Sequence, residues 1–231
     1  MFKAAPGITG KTGHNRQIGQ ITLKDRRIGV FIGMGSANTE NDSANEERLR
    51  AHTAGELERL AGPIVLVKYD PQWPEAFRHE ADKIRNALGG HAICIEHVGS
   101  TSVPDLPAKP VIDIVLAVAD SANETEYSGL LERAGYELRI REPDWYEHRM
   151  FKGAGNTVNL HVFSEGCPEI DRMLLFRDWL RMNRADRELY ARSKWVLAGQ
   201  NWLYTQNYAD AKTGVIREII SRARIHELSR G

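Results

Sequence analysis

The sequence predicts an α/β or α+β fold, in which a mixed β-sheet is flanked by helices and followed by a helical C-terminal part. Two apolar runs, at residues 92–98 and 111–118, have the length and composition of buried strands. Two further strand-like runs, at 148–153 and 158–164, are joined by AGNT, which is typical of a hairpin. After residue 167 the apolar spacing becomes helical. These observations define the fold class.

The first 60 residues differ in composition from the rest of the chain. They are rich in Gly, Asn, Ser, Thr and charged residues, and the run SANTENDSANEER at 36–48 is polar enough to stay solvated. We therefore predict that residues 1–60 form a mostly disordered extension, although 45–60 has the spacing of a short amphipathic helix. The folded domain is predicted to span residues 61–231.

Within that domain the elements follow in a clear order. Pro74 suits a first helical turn, and apolar residues recur at helical spacing until two glycines stop the pattern at 89 and 90. The strand at 92–98 comes next, followed by the strand at 111–118. The remaining predicted elements are a helix in ANETEYSGLLERAGY that ends at Gly135, a strand in YELRIR, the hairpin, and three helices at 168–183, 184–199 and 204–227.

The composition excludes several classes of function. The 231 residues include 31 basic and 31 acidic side chains, so general nucleic-acid binding is not expected. The apolar runs are shorter than the roughly 20 residues that a membrane span needs. The two cysteines, Cys94 and Cys167, lie outside any CxxC pattern, which argues against a zinc site or a disulfide scaffold. We expect a cytoplasmic protein with no membrane partner.

A single carboxylate, Asp113, lies inside the second apolar run. A charge buried among aliphatic side chains is costly unless backbone donors, a basic side chain or a divalent metal compensate it. Shortly before it, Gly99, Ser100 and Thr101 form a turn whose N–H groups and hydroxyls suit phosphate oxygens. Lys109 adds a nearby cation. Together these residues predict a phosphate site with Asp113 placed to hold a metal ion.

Longer segments carry a resemblance to a known family. YDPQWPEAFRHEADKI, IEHVGSTSVPDLPAKPVIDIVLAV, LERAGYELR, NLHVF and LLFRDWLRMNRADRELYARSK resemble, in this order, the GrpB family, from about residue 63 to about residue 225. That family is described as nucleotidyltransferase-like, within the polymerase-beta-type superfamily. The resemblance implies a nucleotidyltransferase-like mixed sheet, phosphate binding at Gly99 and Ser100, a metal-ligand role for Asp113, and Mg²⁺ or Mn²⁺ as the cofactor.

The sequence departs from the superfamily pattern at Val115. Active members usually carry a second acid two positions after the first, because residues i and i+2 share one face of a strand. The later strand that often supplies a third acid offers Asn159 and His161 instead. Glu96 and His161 complete a one-metal site only if they converge with Asp113. On that condition Glu96 is a candidate metal ligand and catalytic residue, and His161 a candidate ligand or proton carrier.

Four further cations are candidates for binding phosphates. Arg149 and Lys152 lie on one predicted strand, where alternation makes them point apart unless the strand bends. Lys194 and Lys212 each follow a tyrosine by four positions, so each lysine shares a helix face with that tyrosine. Packing of the lysine stems on the aromatic rings is the simpler interpretation, and phosphate binding is the alternative.

Three functions fit these residues. The first is a metal-dependent nucleotidyltransferase that acts on a nucleoside triphosphate and an unknown small-molecule or protein acceptor. The second is a catalytically degenerate module that binds a nucleotide or phosphorylated metabolite. The third is acid–base or ligase-like chemistry on an anionic small molecule, carried by Asp113, His161 and Lys109. The intact turn favours the first function, and Val115 favours the second.

Overall fold

The computed structural model describes residues 39–230. Within this range the chain forms one sheet of five strands: β1 (Cys94–Val98), β2 (Ile112–Val118), β3 (Glu137–Glu142), β4 (His148–Lys152) and β5 (Val158–Ser164). It also forms seven helices: α1 (Thr39–His52), α2 (Trp73–Leu88), α3 (Ser128–Arg133), α4 (Pro168–Met182), α5 (Arg184–Ala198), α6 (Thr205–Ala211) and α7 (Thr213–Leu228). None of these helices is long and apolar enough to cross a membrane.

The sheet is mixed, with the strand order β1-β2-β5-β4-β3. The parallel pair β2 and β5 lies at its centre, and every other pairing is antiparallel. The register places Asp113 opposite Val98 on one side and opposite Asn159 on the other. Because strand side chains alternate between faces, Asp113, Val115, Asn159 and His161 all project from the same face. The predicted mixed sheet with flanking helices is confirmed.

The two faces of the sheet are covered by different helices. One face packs against α2 and α3 in the largest apolar cluster, where Ile84 and Leu131 are fully buried. Full burial of such a side chain contributes about 1.5–3 kcal/mol. The other face, which bears Asp113, packs in part against α4 through Cys167 and Ile170. The C-terminal helices therefore cover the face on which the candidate site lies.

Most predicted elements are present, with two changes of length. The helix predicted in 122–136 is shorter, since α3 begins at Ser128 after a 3-10 turn at Glu124–Glu126. Tyr127 causes this late start, because it has a non-helical backbone (φ −135°) and donates a buried hydrogen bond to the carbonyl of Ser121. The last predicted helix is divided at Lys212, between α6 and α7.

The N-terminal segment is only partly within the described residues. The predicted disorder of residues 1–38 lies outside them, but residues 39–52 form the helix α1, which differs from the disordered extension that we expected. Polar contacts hold α1: Arg48 pairs with Asp210 at 2.8 Å, and the Tyr204 hydroxyl donates to Glu46 at 2.9 Å. Such polar contacts leave no apolar pattern in the sequence. This explains why the structure has a helix where we predicted a mostly disordered extension.

Candidate functional site

The turn after β1 brings the backbone against Asp113. Gly99 has a φ of +69° and a ψ of −169°, a conformation essentially restricted to glycine. A Cβ atom at Gly99 would lie 2.2 Å from Oδ2 of Asp113, so the close approach also excludes any side chain. Ser100 follows at the start of a 3-10 turn and remains partly exposed. The turn and the carboxylate thus form one rigid unit.

Asp113 itself is held from the neighbouring strand. The Asn159 amide donates to Oδ1 of Asp113 at 2.9 Å, as the parallel register of β2 and β5 allows. Burial raises the pKa of the Asp113 carboxyl, whereas the Asn159 hydrogen bond and three lysines (Lys212, Lys109 and Lys194) oppose that rise. The carboxylate is therefore compensated mainly by an amide and by cations.

Two of these lysines come from the C-terminal helices. Nζ of Lys194, on α5, donates to Oγ of Ser100 at 2.9 Å and to the carbonyl of Pro107, and the residue is only 2% exposed. Its Nζ lies 4.9 Å from the ring centre of Tyr190. Nζ of Lys212 lies 4.6 Å from the ring of Tyr208. The packing of both lysines on the tyrosine rings agrees with the simpler interpretation, and both ammonium groups lie near Asp113. Phosphate binding by the two lysines stays a prediction.

The ionisation of these lysines is strongly perturbed. The pKa of Lys194 is lowered to about 7. Burial is the largest cause, the nearby charge of Lys212 also lowers the pKa, and Asp113 opposes both. Burial also lowers the pKa of Lys212, again opposed by Asp113. A nearby negative charge would stabilise the charged form of each lysine, which burial disfavours.

The remaining two lysines lie at the edge of the same site. Burial lowers the pKa of Lys109, Lys212 and Lys152 lower it further, and Asp113 opposes them. Lys152, on β4, is the register partner of Asn159 and so projects from the same face as Asp113. Lys109, Lys194 and Lys212 therefore act on a single carboxylate, and Lys152 lies near Lys109 on the same face. We call this group, with Asp113, the lysine cluster.

His161 lies on the same face and belongs to a chain of hydrogen bonds. Its Nδ1 lies 3.1 Å from Nε2 of His148, whose Nδ1 lies 2.8 Å from Glu142. Burial, with a smaller contribution from His148, lowers the pKa of His161 to about 3. If His148 donates Nδ1–H to Glu142, its Nε2 accepts Nδ1–H from His161, and Nε2 of His161 then carries the lone pair. This arrangement fixes the orientation of a neutral imidazole.

The structure does not bring Glu96 into this site. Its carboxylate pairs with Arg177 of α4 at 2.7 Å. Glu96 lines a separate pocket of about 380 Å³ at the edge of β1, together with Arg177 and Arg181. The expectation that Glu96 would join Asp113 in holding a metal does not agree with this geometry, because an arginine already neutralises the carboxylate.

Arg149 and Thr101 are also placed differently from expectation. Arg149 projects from the opposite face of the sheet, where it is 6% exposed and bonds Glu124 at 2.6 Å. The Thr101 hydroxyl is buried between His97, at 3.0 Å, and the carbonyl of Val111, at 3.1 Å. Both side chains have internal partners, so neither faces a ligand at the lysine cluster.

The donor set does not fit a metal held by the protein. Residues 39–230 contain no group of three or more His, Cys, Asp or Glu side chains that could hold a metal ion. Val115, at the position of the expected second acid, is buried and packs in the apolar cluster below α4. Two-ion catalysis needs several carboxylates, whereas the groups around Asp113 are lysines that would repel a second cation.

Three residues that contribute to the site are not among the site residues that the sequence predicts. Asn159 was noticed only as a substitute for an acid, yet its amide holds Asp113. The Tyr190 ring lies under Nζ of Lys194, and His148 connects His161 to Glu142. The four-residue spacing of Tyr190 and Lys194 indicates that these two residues share a helix face. The histidine pair depends on the register of β4 and β5, which the sequence does not specify.

The fold and the site define an α/β protein with a cluster of lysines at a Gly-Ser turn. Comparison with known proteins assigns its family. The family model described as GrpB protein matches residues 63–222. A UPF0157 protein of Halalkalibacterium halodurans is 56% identical over 187 residues, which are 79% of this chain and 96% of that protein. The chain belongs to the GrpB family.

Two solved structures and a kinase that matches over part of its length extend the comparison. The crystal structure of GrpB from Enterococcus faecalis has a TM-score of 0.57 and 30% identity, over 69% of this chain and 96% of that one. A cytoplasmic RNA terminal U-transferase has a TM-score of only 0.40 at 13% identity, over 69% of this chain and 48% of that one, and supports no conclusion about function. A dephospho-CoA kinase of Mycobacterium tuberculosis is 32% identical over 166 residues, which are 61% of this chain and 41% of the kinase.

Proposed function

We propose that this protein binds a phosphorylated small molecule, such as a nucleotide, at the lysine cluster beside the Gly99–Ser100 turn. The observation that carries this proposal is the convergence of three lysines, Lys109, Lys194 and Lys212, on one carboxylate. The cluster has an excess of positive charge where burial already lowers the pKa of Lys109, Lys194 and Lys212. A phosphate group would compensate these charges, since its oxygens accept hydrogen bonds from ammonium groups.

The turn supplies a complementary contact. Ser100 is partly exposed, and its hydroxyl oxygen accepts a hydrogen bond from Nζ of Lys194. A phosphate beside Ser100 would therefore meet both the hydroxyl and the cations. The match to a dephospho-CoA kinase covers 41% of that protein, so we transfer no kinase activity, but dephospho-CoA is a reasonable ligand to include in a test.

The proposal predicts that binding is linked to proton uptake. Burial lowers the pKa of Lys109 and of Lys212, and a bound polyanion would raise both pKa values, so these two lysines would take up protons on binding. Titration calorimetry with ATP, pyrophosphate, orthophosphate and dephospho-CoA, each in two buffers of different ionisation enthalpy, measures this uptake. We expect binding with net proton uptake, and at least a tenfold increase in Kd in Lys212→Met, or about 1.4 kcal/mol.

Lys83→Met is the matched control. Lys83 lies on α2, near Glu80 and over the Tyr136 ring, on the opposite side of the sheet. The Lys83→Met variant also loses one positive charge, but from a place where we expect no ligand to bind. Its Kd should therefore equal that of the wild type. Failure of the folded wild-type protein to bind any of the four compounds would refute the proposal, as would equal affinities in the Lys212 and Lys83 variants.

Nucleotidyl transfer is a second candidate, and the position of Asp113 against Gly99 and Ser100 favours it. This is the arrangement that the resemblance to the nucleotidyltransferase superfamily implies. Since the described side chains do not fit a metal centre of their own, the Mg²⁺ or Mn²⁺ of this hypothesis would enter with the triphosphate. Pyrophosphate release that requires the metal and is lost in Asp113→Asn would support transfer, whereas metal-independent binding without release would favour the binding module.

A further inference from the structure

We propose that Ser100 is a nucleophile and that Lys194 is the base that activates it. Serine is unreactive until a neighbouring group removes its proton, and lysine serves as that group in Ser–Lys enzymes. The proposal rests on two contacts: Nζ of Lys194 lies 2.9 Å from Oγ of Ser100 and is also bonded to the Pro107 carbonyl. It deepens the proposed function, because the electrophile is the phosphorylated ligand of the same site.

The burial of the two residues suits these roles. Ser100 is partly exposed, so a ligand can approach its hydroxyl, whereas Lys194 is 2% exposed and lies behind it. A neutral lysine amine has two N–H bonds and one lone pair. If one N–H is donated to the Pro107 carbonyl, the lone pair can accept the Ser100 proton. The carbonyl therefore orients the amine as a base.

Three groups from three elements face the amine. Lys212, between α6 and α7, lowers the pKa of Lys194, Asp113 on β2 raises it, and burial is the largest influence. The Tyr190 ring from α5 lies under Nζ. With a pKa of about 7, Lys194 is present as the free amine in a large fraction of molecules at neutral pH. An ordinary exposed lysine would be almost entirely protonated.

The reaction is a phosphoryl or nucleotidyl transfer to serine. Oγ of Ser100 forms a bond to a phosphorus atom of a bound phosphoanhydride as its proton passes to Nζ of Lys194. The bond between that phosphorus and the bridging oxygen breaks, and the leaving group departs with the electron pair: a nucleoside diphosphate after attack at the terminal phosphorus of a triphosphate, or pyrophosphate after attack at its α-phosphorus. The product is a phosphoserine or nucleotidyl-serine ester, with Lys194 protonated.

A fluorophosphonate probe tests this proposal without relying on nucleotide binding. The probe reacts with activated serines and releases fluoride, and intact-mass and peptide mass spectrometry locate the adduct. We expect a single adduct on Ser100 in the full chain, none in Ser100→Ala, and at least a tenfold slower reaction in Lys194→Met. Lys83→Met should react at the wild-type rate. Thermal melts confirm that each variant is folded.

The pH dependence of the wild-type reaction provides a second test that needs no variant. The rate should rise with pH through about 7 and then level off, as Lys194 loses its proton. Absence of a Ser100 adduct, or a rate that is independent of Lys194 and of pH, would overturn the proposal. If Ser100 reacts but no phosphorylated compound binds in calorimetry, the nucleophile stands and the proposed function fails. If compounds bind but Ser100 is inert, the reverse holds.

Discussion

Gly99→Ala is the most direct test of the close approach between the turn and Asp113. Alanine at this position must adopt a backbone conformation that costs about 1–3 kcal/mol. In addition, its Cβ would lie 2.2 Å from Oδ2 and 2.8 Å from Cβ of Asp113. Relief of such overpacking costs about another 1–3 kcal/mol. We therefore expect the free energy of unfolding to fall by about 2–6 kcal/mol, measured by urea titration.

Gly135→Ala separates the two contributions. Gly135 also has a positive φ, of +86°, but a Cβ there would meet no atom within 4 Å. This variant should lose only the conformational part, about 1–2 kcal/mol. A Gly99→Ala variant that is no less stable than Gly135→Ala would refute the close contact. The same comparison applied to ligand binding should show weaker binding in Gly99→Ala alone, because only that change displaces Asp113.

Two further predictions concern groups away from the cluster. Arg149→Met should lower the free energy of unfolding by about 1–3 kcal/mol, because Glu124 loses one of its two arginine partners and keeps Arg141. The Kd for a phosphorylated ligand should stay unchanged. A large loss of affinity would show that Arg149 reaches the ligand. Stability should also fall as the pH decreases from about 6.5 toward 4, because the pKa values of His161 (about 3) and His97 (about 4) lie below those of the unfolded chain. The unfolded state then binds more protons, with a slope of up to about 2.7 kcal/mol per pH unit for two histidines. His97→Asn should roughly halve that slope, and urea titrations that show constant stability from pH 7 to pH 5 would contradict the assignment.

Much of the fold was predictable because its strands and long helices carry clear apolar periodicity. Gly89 ends α2 where the pattern stops, and the AGNT segment joins β4 to β5. The failures have specific physical causes. A buried tyrosine hydrogen bond delays α3, and polar contacts with residues more than 150 positions away help to hold α1. Neither interaction leaves a periodic signal in the sequence.

The site was predictable where a residue's role depends on its own segment. Gly99, Ser100 and Asp113 lie in one short stretch whose strand–turn–strand order brings them together. Roles that depend on the register between distant strands were less accessible. Alternation along β4 correctly separated Arg149 from Lys152, but it did not reveal which of the two would share a face with Asp113. The partner of Glu96 comes from α4, 81 residues later in the chain.

The packing of the C-terminal helices offers a physical reason for the missing second acid. Val115 is 1% exposed and lies in an apolar cluster with Ile170 of α4, so a carboxylate there would be buried without a partner at a cost of several kcal/mol. The next helix, α5, inserts Lys194 beside Ser100, and the α6–α7 junction adds Lys212 near Asp113. The same C-terminal part thus removes the environment that a second acid needs and supplies cations in its place. A face built in this way is suited to neutralise phosphate oxygens with ammonium groups instead of with a pair of metal ions held by carboxylates.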